Sequence, residues 1–187
     1  MELIIKASIM KCFVLLILTA LPLAGYSQID SGKEAKLEHL NKFLRRTYDE
    51  FKEVEWIEDK KTTKYPHTSY IFSLYLGKSG DRVWPRLKIK YTGENWIFIE
   101  GYDIKTDNNK YTITPNSDIE RDNSAGWVWE HYDFQPDESQ LKMIEDIANS
   151  KTAKIRFSGS QSFSDRVINE KEKEALRRIL EVYDIYN

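Results

Sequence analysis

Trp127-Val-Trp-Glu-His131 is the string whose residue types and spacing point most directly to chemistry. Side chains alternate across a strand. Trp127, Trp129 and His131 therefore fall on one face, and Val128, Glu130 and Tyr132 on the other. A strip of two indoles and an imidazole can stack on a sugar ring or another flat ligand. The same string also reads as core tryptophans with His131 at a strand end. Exposure decides between the two, because an exposed aromatic patch marks a contact surface.

A second candidate is Asp118-Ile-Glu-Arg-Asp-Asn123, with carboxylates at Asp118, Glu120 and Asp122. Hard oxygen ligands at alternate positions are how a calcium loop wraps its ion. The match to that loop is poor. Glu120 stands where Asp or Asn is usual, Asn123 takes the place of the turn glycine, and Trp129 that of the bidentate glutamate. A solvated acidic loop is the alternative reading.

Catalytic options are sparse. Glu100, Glu130, Asp103 and Asp133 fall near the ends of predicted strands, and a carboxylate pair is what a glycoside hydrolase needs. His39, His67 and His131 are scattered, with no HExxH spacing to gather them on zinc. Ser158-Gly-Ser160 is not a nucleophile elbow. No catalytic residue is assigned and no cofactor motif is present. Arg156, Asp165 and Arg166 are expected to form an ion-pair cluster, most simply a surface network.

The elements that must position these residues follow from periodicity. Leu37, Leu40, Leu44, Tyr48 and Phe51 recur at helical steps and predict a helix from Lys33 to about Lys52. Alternation predicts strands over 70–76 and 83–91, joined by a turn at 77–81. Pro85 belongs at a strand start or an edge. Trp96 to Glu100 is apolar on both faces and predicts a central strand. A short strand at 111–113, a polar loop from Pro115 to Gly126 and a strand from Trp127 to Tyr132 follow. Asp137 with Gln140, and Asn169 with Glu172, read as capping boxes opening two helices, with a strand at 153–159 between them. Lys88-Ile-Lys-Tyr-Thr-Gly93 and Lys154-Ile-Arg-Phe-Ser-Gly159 match in type position by position. Duplication explains the echo, and so does a shared pattern of amphipathic strands ending at glycine. The order predicts an α+β domain of two layers: an antiparallel sheet of about five to six strands packed against two or three helices.

Leu87-Lys-Ile-Lys-Tyr-Thr-Gly93, Trp96-Ile-Phe-Ile99, Lys154-Ile-Arg-Phe-Ser-Gly159 and Glu170-Lys-Glu-Lys-Glu-Ala-Leu176 carry a resemblance. Trp84–Asn187 resembles an α+β module of uncharacterised exported and lipoprotein-type bacterial proteins. That resemblance implies no assigned chemistry and no site residues.

The N-terminus predicts an address. Lys6 and Lys11, the apolar run Cys12–Leu23, and small residues before Gln28 read as a signal peptide over residues 1–27. The run spans 12 residues, against about 20 for a helix that crosses a bilayer. A retained anchor is the alternative. The Tyr-Ser-Gln end of the leader is similar to those of Gram-negative bacteria of the gut and oral type, which implies a periplasmic or outer-surface home. Cleavage would leave residues 28–187 as one domain without cysteine, since Cys12 is the only one. Such a domain has no disulfide and depends on its core. Two cations and one anion leave with the leader, so the net charge moves from −2 to −3. That balance gives no electrostatic drive toward nucleic acid. The function expected is a secreted or periplasmic, non-enzymatic binding module. Its partner is a protein or glycan of the cell envelope, with no membrane span after cleavage. A glycan-directed hydrolase using paired carboxylates and a calcium-stabilised structural protein are the alternatives.

Overall fold

The computed structural model describes residues 31–62, 69–160 and 162–187. The leader and His67 lie outside these residues. The chain runs α1 (Ser31–Asn41), β1 (Leu44–Asp49), β2 (Val54–Asp59), β3 (Ile71–Ser79), β4 (Arg82–Gly93), β5 (Ile99–Lys105), β6 (Lys110–Ile113), β7 (Glu120–Ser124), β8 (Trp127–Phe134), α2 (Glu138–Asn149), β9 (Lys154–Gly159), β10 (Phe163–Val167) and α3 (Glu170–Tyr186). The fold is α+β with antiparallel pairing. Its strands divide over two sheets rather than one: six in the order β1-β2-β3-β4-β8-β7 and four in the order β10-β9-β5-β6. Among the described residues, no helix is long and apolar enough to cross a membrane.

One core lies between the inner sheet faces and the helices. Leu74, Leu76, Leu87 and Ile89 of the larger sheet share one buried cluster with Leu176, Ile179 and Val182 of α3, which packs on β3 and β4. Tyr102 and Phe157 of the smaller sheet meet Tyr132 and Tyr91 of the larger, with ring centroids 5.8–6.3 Å apart along that chain of contacts. Both predicted capping boxes are present. Asp137 accepts from the Gln140 N–H and Asn169 from the Glu172 N–H, each with the reciprocal bond.

Four local expectations differ from the structure, each for a physical reason. The predicted first helix stops at Asn41, and Leu44–Asp49 is a strand instead. Pairing with β2 puts Arg45 opposite Glu58, and Arg46 bonds Glu55 at 2.9 Å. Tyr48 and Phe51, expected on the apolar helix face, are exposed. The predicted strand at Trp96 begins only at Ile99. Its backbone donors at 97–99 are bonded to a carboxylate, as described below, and are not free for a ladder. The polar loop 115–126 contains β7, which closes on β8 through a two-residue turn with Ala125 at φ 51° and Gly126 at φ 83°. That pair of positive φ angles is what a tight right-twisted hairpin requires. Phe163–Val167 is a further strand, paired with β9. Pro85 lies opposite Leu76 on β3, in the stretch of β4 before its ladder with β8 begins at Leu87, so no bond to β8 is lost. The two echoing hexapeptides occupy β4 and β9, in different sheets.

Candidate functional site

The candidate site is the outer face of the six-stranded sheet, opposite the face that packs on the helices. Register assembles it. The β4–β8 ladder sets Lys90 beside His131 and Thr92 beside Trp129. The β7–β8 ladder sets Glu120 beside His131, Asp122 beside Trp129 and Ser124 beside Trp127. The expected alternation on β8 is therefore present, with Trp127, Trp129 and His131 on this face. Trp127 is 39% exposed and Trp129 only 7%. The strip is half platform and half buried wall.

The centre of the face is charged. Asp133 accepts from Tyr75 Oη at 2.7 Å and from Arg86 Nε at 2.9 Å. His131 Nε2 lies 3.0 Å from Glu120. Lys90 is 2% exposed, and its Nζ stands 5.5 Å from the Trp129 ring centroid. Neither Lys90 Nζ nor His131 Nδ1 has a hydrogen-bond partner among the described residues, although both atoms are buried. Burial, then the neighbouring Lys88 charge, brings the Lys90 ammonium down to a pKa of about 8. Burial and then Lys88 likewise lower His131, while Glu120 and Asp133 pull it the other way.

Aromatic rings flank this centre on the far side. Trp56 lies 5.6 Å from Tyr75 and 6.1 Å from Trp84. Arg82 sits 5.2 Å over the Trp84 ring. Gly77 lets the Trp84 indole lie flat on β3, because a Cβ there would stand 2.4 Å from indole atoms. The sequence reading missed Trp56, Trp84 and Lys90. Nothing in the local pattern of its alternating strand distinguishes Lys90 from a solvated surface lysine. Trp56 sits in β2, which carried no recognised strand signal.

The other candidates have separate fates. Glu120 and Asp122 lie along an extended edge strand, where alternate residues are about 6.7 Å apart. Such a strand spreads carboxylates instead of wrapping them, and among the described residues no three potential metal ligands gather. Asp118 precedes the strand, and Asp122 accepts from the Asn123 N–H at 2.7 Å. Glu130 is fully buried on the inner face. Its Oε1 accepts the N–H of Ile97 and Phe98 and its Oε2 that of Ile99, at 2.8–2.9 Å, with Arg121 Nε at 3.0 Å. That is a structural clamp with its acceptor capacity filled. Asp103 accepts from Thr112 and Ser158, and Glu100 is exposed. His39, on α1, lies 3.3 Å from the ammonium of Lys42, just beyond the helix. Arg156 and Asp165 form the expected pair through two 2.7 Å bonds. Arg166 points to the opposite face and pairs with Glu172 at 2.8 Å.

No family model, curated protein or solved structure matches this chain.

Proposed function

We propose that this protein is an exported, non-enzymatic binding module of the cell envelope, whose outer sheet face takes an acidic glycan. The observation carrying this reading is the Lys90–His131 pair: two buried nitrogens on adjacent strands without a hydrogen-bond partner among the described residues. A buried cation that makes no hydrogen bond and faces only an aromatic ring is unfavourable unless an anion compensates it. The Trp129 indole beside Lys90, with Trp127 exposed next to it, offers an apolar wall for a sugar ring. A carboxylate on a sugar meets both requirements at once. Export rests on the leader-like residues 1–27.

Titration of the protein with a galacturonic acid trisaccharide, followed by tryptophan fluorescence, tests the reading. Saturable binding is expected, with none for a neutral glucose trisaccharide and none for K90M. Equal binding of the neutral sugar, or full retention by K90M, refutes it. The N-terminal mass of protein collected outside the cytoplasm tests export, and an intact Met1 there refutes leader cleavage.

A further inference from the structure

A second anion site lies on the other sheet and does not depend on the reading above. Register on the four-stranded sheet places Lys105 directly opposite Lys110 on one side and Lys154 on the other. Three ammonium-bearing chains thus stand in one row across β6, β5 and β9. All three residues are exposed, and none of their ammonium groups has a hydrogen bond or ion pair among the described residues. Like charges directly opposite on a sheet are destabilising. The neighbouring row, Thr112–Asp103–Arg156–Asp165, shows what pairing looks like on this same face. There Thr112 donates to Asp103 at 2.9 Å, and Arg156 holds both oxygens of Asp165 at 2.7 Å. Asp165, which feels the Lys154 charge, is already committed to Arg156. The lysine row is therefore a local departure from charge pairing.

The row forms part of a groove of about 380 Å³, whose wall also carries Tyr111, Thr112, the Arg156–Asp165 pair and Asp103, the last held by Thr112 and Ser158. That volume is in the range of small-ligand sites. Neighbouring strands are about 4.8 Å apart, so the outer two backbones of the row are about 10 Å apart. Flexible four-carbon stems can converge across that span on one compact anion. A carboxylate offers one charge and two oxygens. A terminal phosphoryl group offers close to two charges and three acceptor oxygens, one for each ammonium.

We infer that Lys105, Lys110 and Lys154 form a binding site for a terminal phosphoryl group, carried by a soluble ester or by a lipid headgroup. The experiment compares the whole protein with K105Q/K110Q/K154Q and with the control K52Q/K151Q/K171Q, which loses the same charge elsewhere. Melting is followed while inorganic pyrophosphate is added against sodium chloride of equal ionic strength. The native protein and the control are expected to gain melting temperature with pyrophosphate beyond the chloride effect. The row variant is expected to melt higher than the native protein without anion and to bind pyrophosphate roughly tenfold more weakly or worse. No gain in the native protein, or an equal loss in the control, overturns the site. Co-sedimentation with phosphatidylcholine vesicles with and without phosphatidic acid separates the sources. Pelleting that requires phosphatidic acid and the lysine row assigns a headgroup. Pyrophosphate binding without pelleting assigns a soluble ester.

Discussion

Glu130 fixes the backbone of Phe98: its Oε1 accepts the Phe98 N–H at 2.9 Å while Phe98 sits at φ 54°. A bulky residue in the left-handed region is strained and persists only where its surroundings impose it. Here one carboxylate binds three successive N–H groups, and Arg121 locks that carboxylate from the neighbouring strand. The Glu130→Gln variant keeps the shape but turns an NH₂ toward donors. It is expected to lose about 3 kcal/mol, as when one partner of a buried ion pair is removed. Urea unfolding checks this through a lower midpoint at an unchanged slope.

Lys90 gives the protein a characteristic pH response. Its pKa of about 8 lies below the ordinary value of 10.5 because burial, then Lys88, disfavours the charged form. Between these values the unfolded chain holds a proton that the folded chain has lost, so stability rises with pH across that window. Above pH 10 the rise is opposed. Burial holds Tyr75 and Tyr102 protonated in the fold beyond their ordinary 10.0, so the unfolded tyrosines ionise first. Guanidinium unfolding from pH 7 to 10 should show the rise in the native protein and not in K90M, which should also be the more stable of the two at pH 7.

The two tryptophans of β8 should separate cleanly. Trp129 is 7% exposed and Trp127 39%. Trp129→Ala is expected to cost about 3 kcal/mol or more through the cavity it leaves. Trp127→Ala is expected to stay within about 1 kcal/mol and to weaken glycan binding. Chemical unfolding and fluorescence titration of the two variants measure both.

Gly77 is the floor for Trp84. An added Cβ would stand 2.4 Å from two indole carbons, so Gly77→Ala must push the ring off β3. A loss of about 1–3 kcal/mol is expected from that overpacking. The Trp56–Trp84 edge contact at 6.1 Å should go with it. Near-ultraviolet circular dichroism reads that loss directly.

Legibility of the fold followed the locality of the signal. The capping boxes at Asp137 and Asn169 need only residues three apart, and both are where the pattern puts them. The Trp127–His131 face also needs only alternation, and it is present. The failures depend on distant partners. Leu44–Tyr48 carries a helical period but becomes a strand because β2 supplies Glu55 and Glu58 across the ladder. Trp96–Phe98 reads as strand until Glu130, more than thirty residues on, takes its N–H groups. Lys90 and Lys105 were indistinguishable from ordinary surface lysines, since a neighbour across a sheet leaves no trace in local spacing. The second sheet was hidden for the same reason.

Two open sheets leave four outer strands among the described residues: β1 and β7 on one, β6 and β10 on the other. Each is short, from four to six residues, and each bears charge: Arg45 and Arg46, Glu120 and Asp122, Lys110, Asp165. A foreign strand adding to any of them must bring its backbone alongside charged side chains over only a few hydrogen bonds. Short length and charge thus work against strand addition at these edges, least so at β10, where Phe163 and Val167 are also exposed.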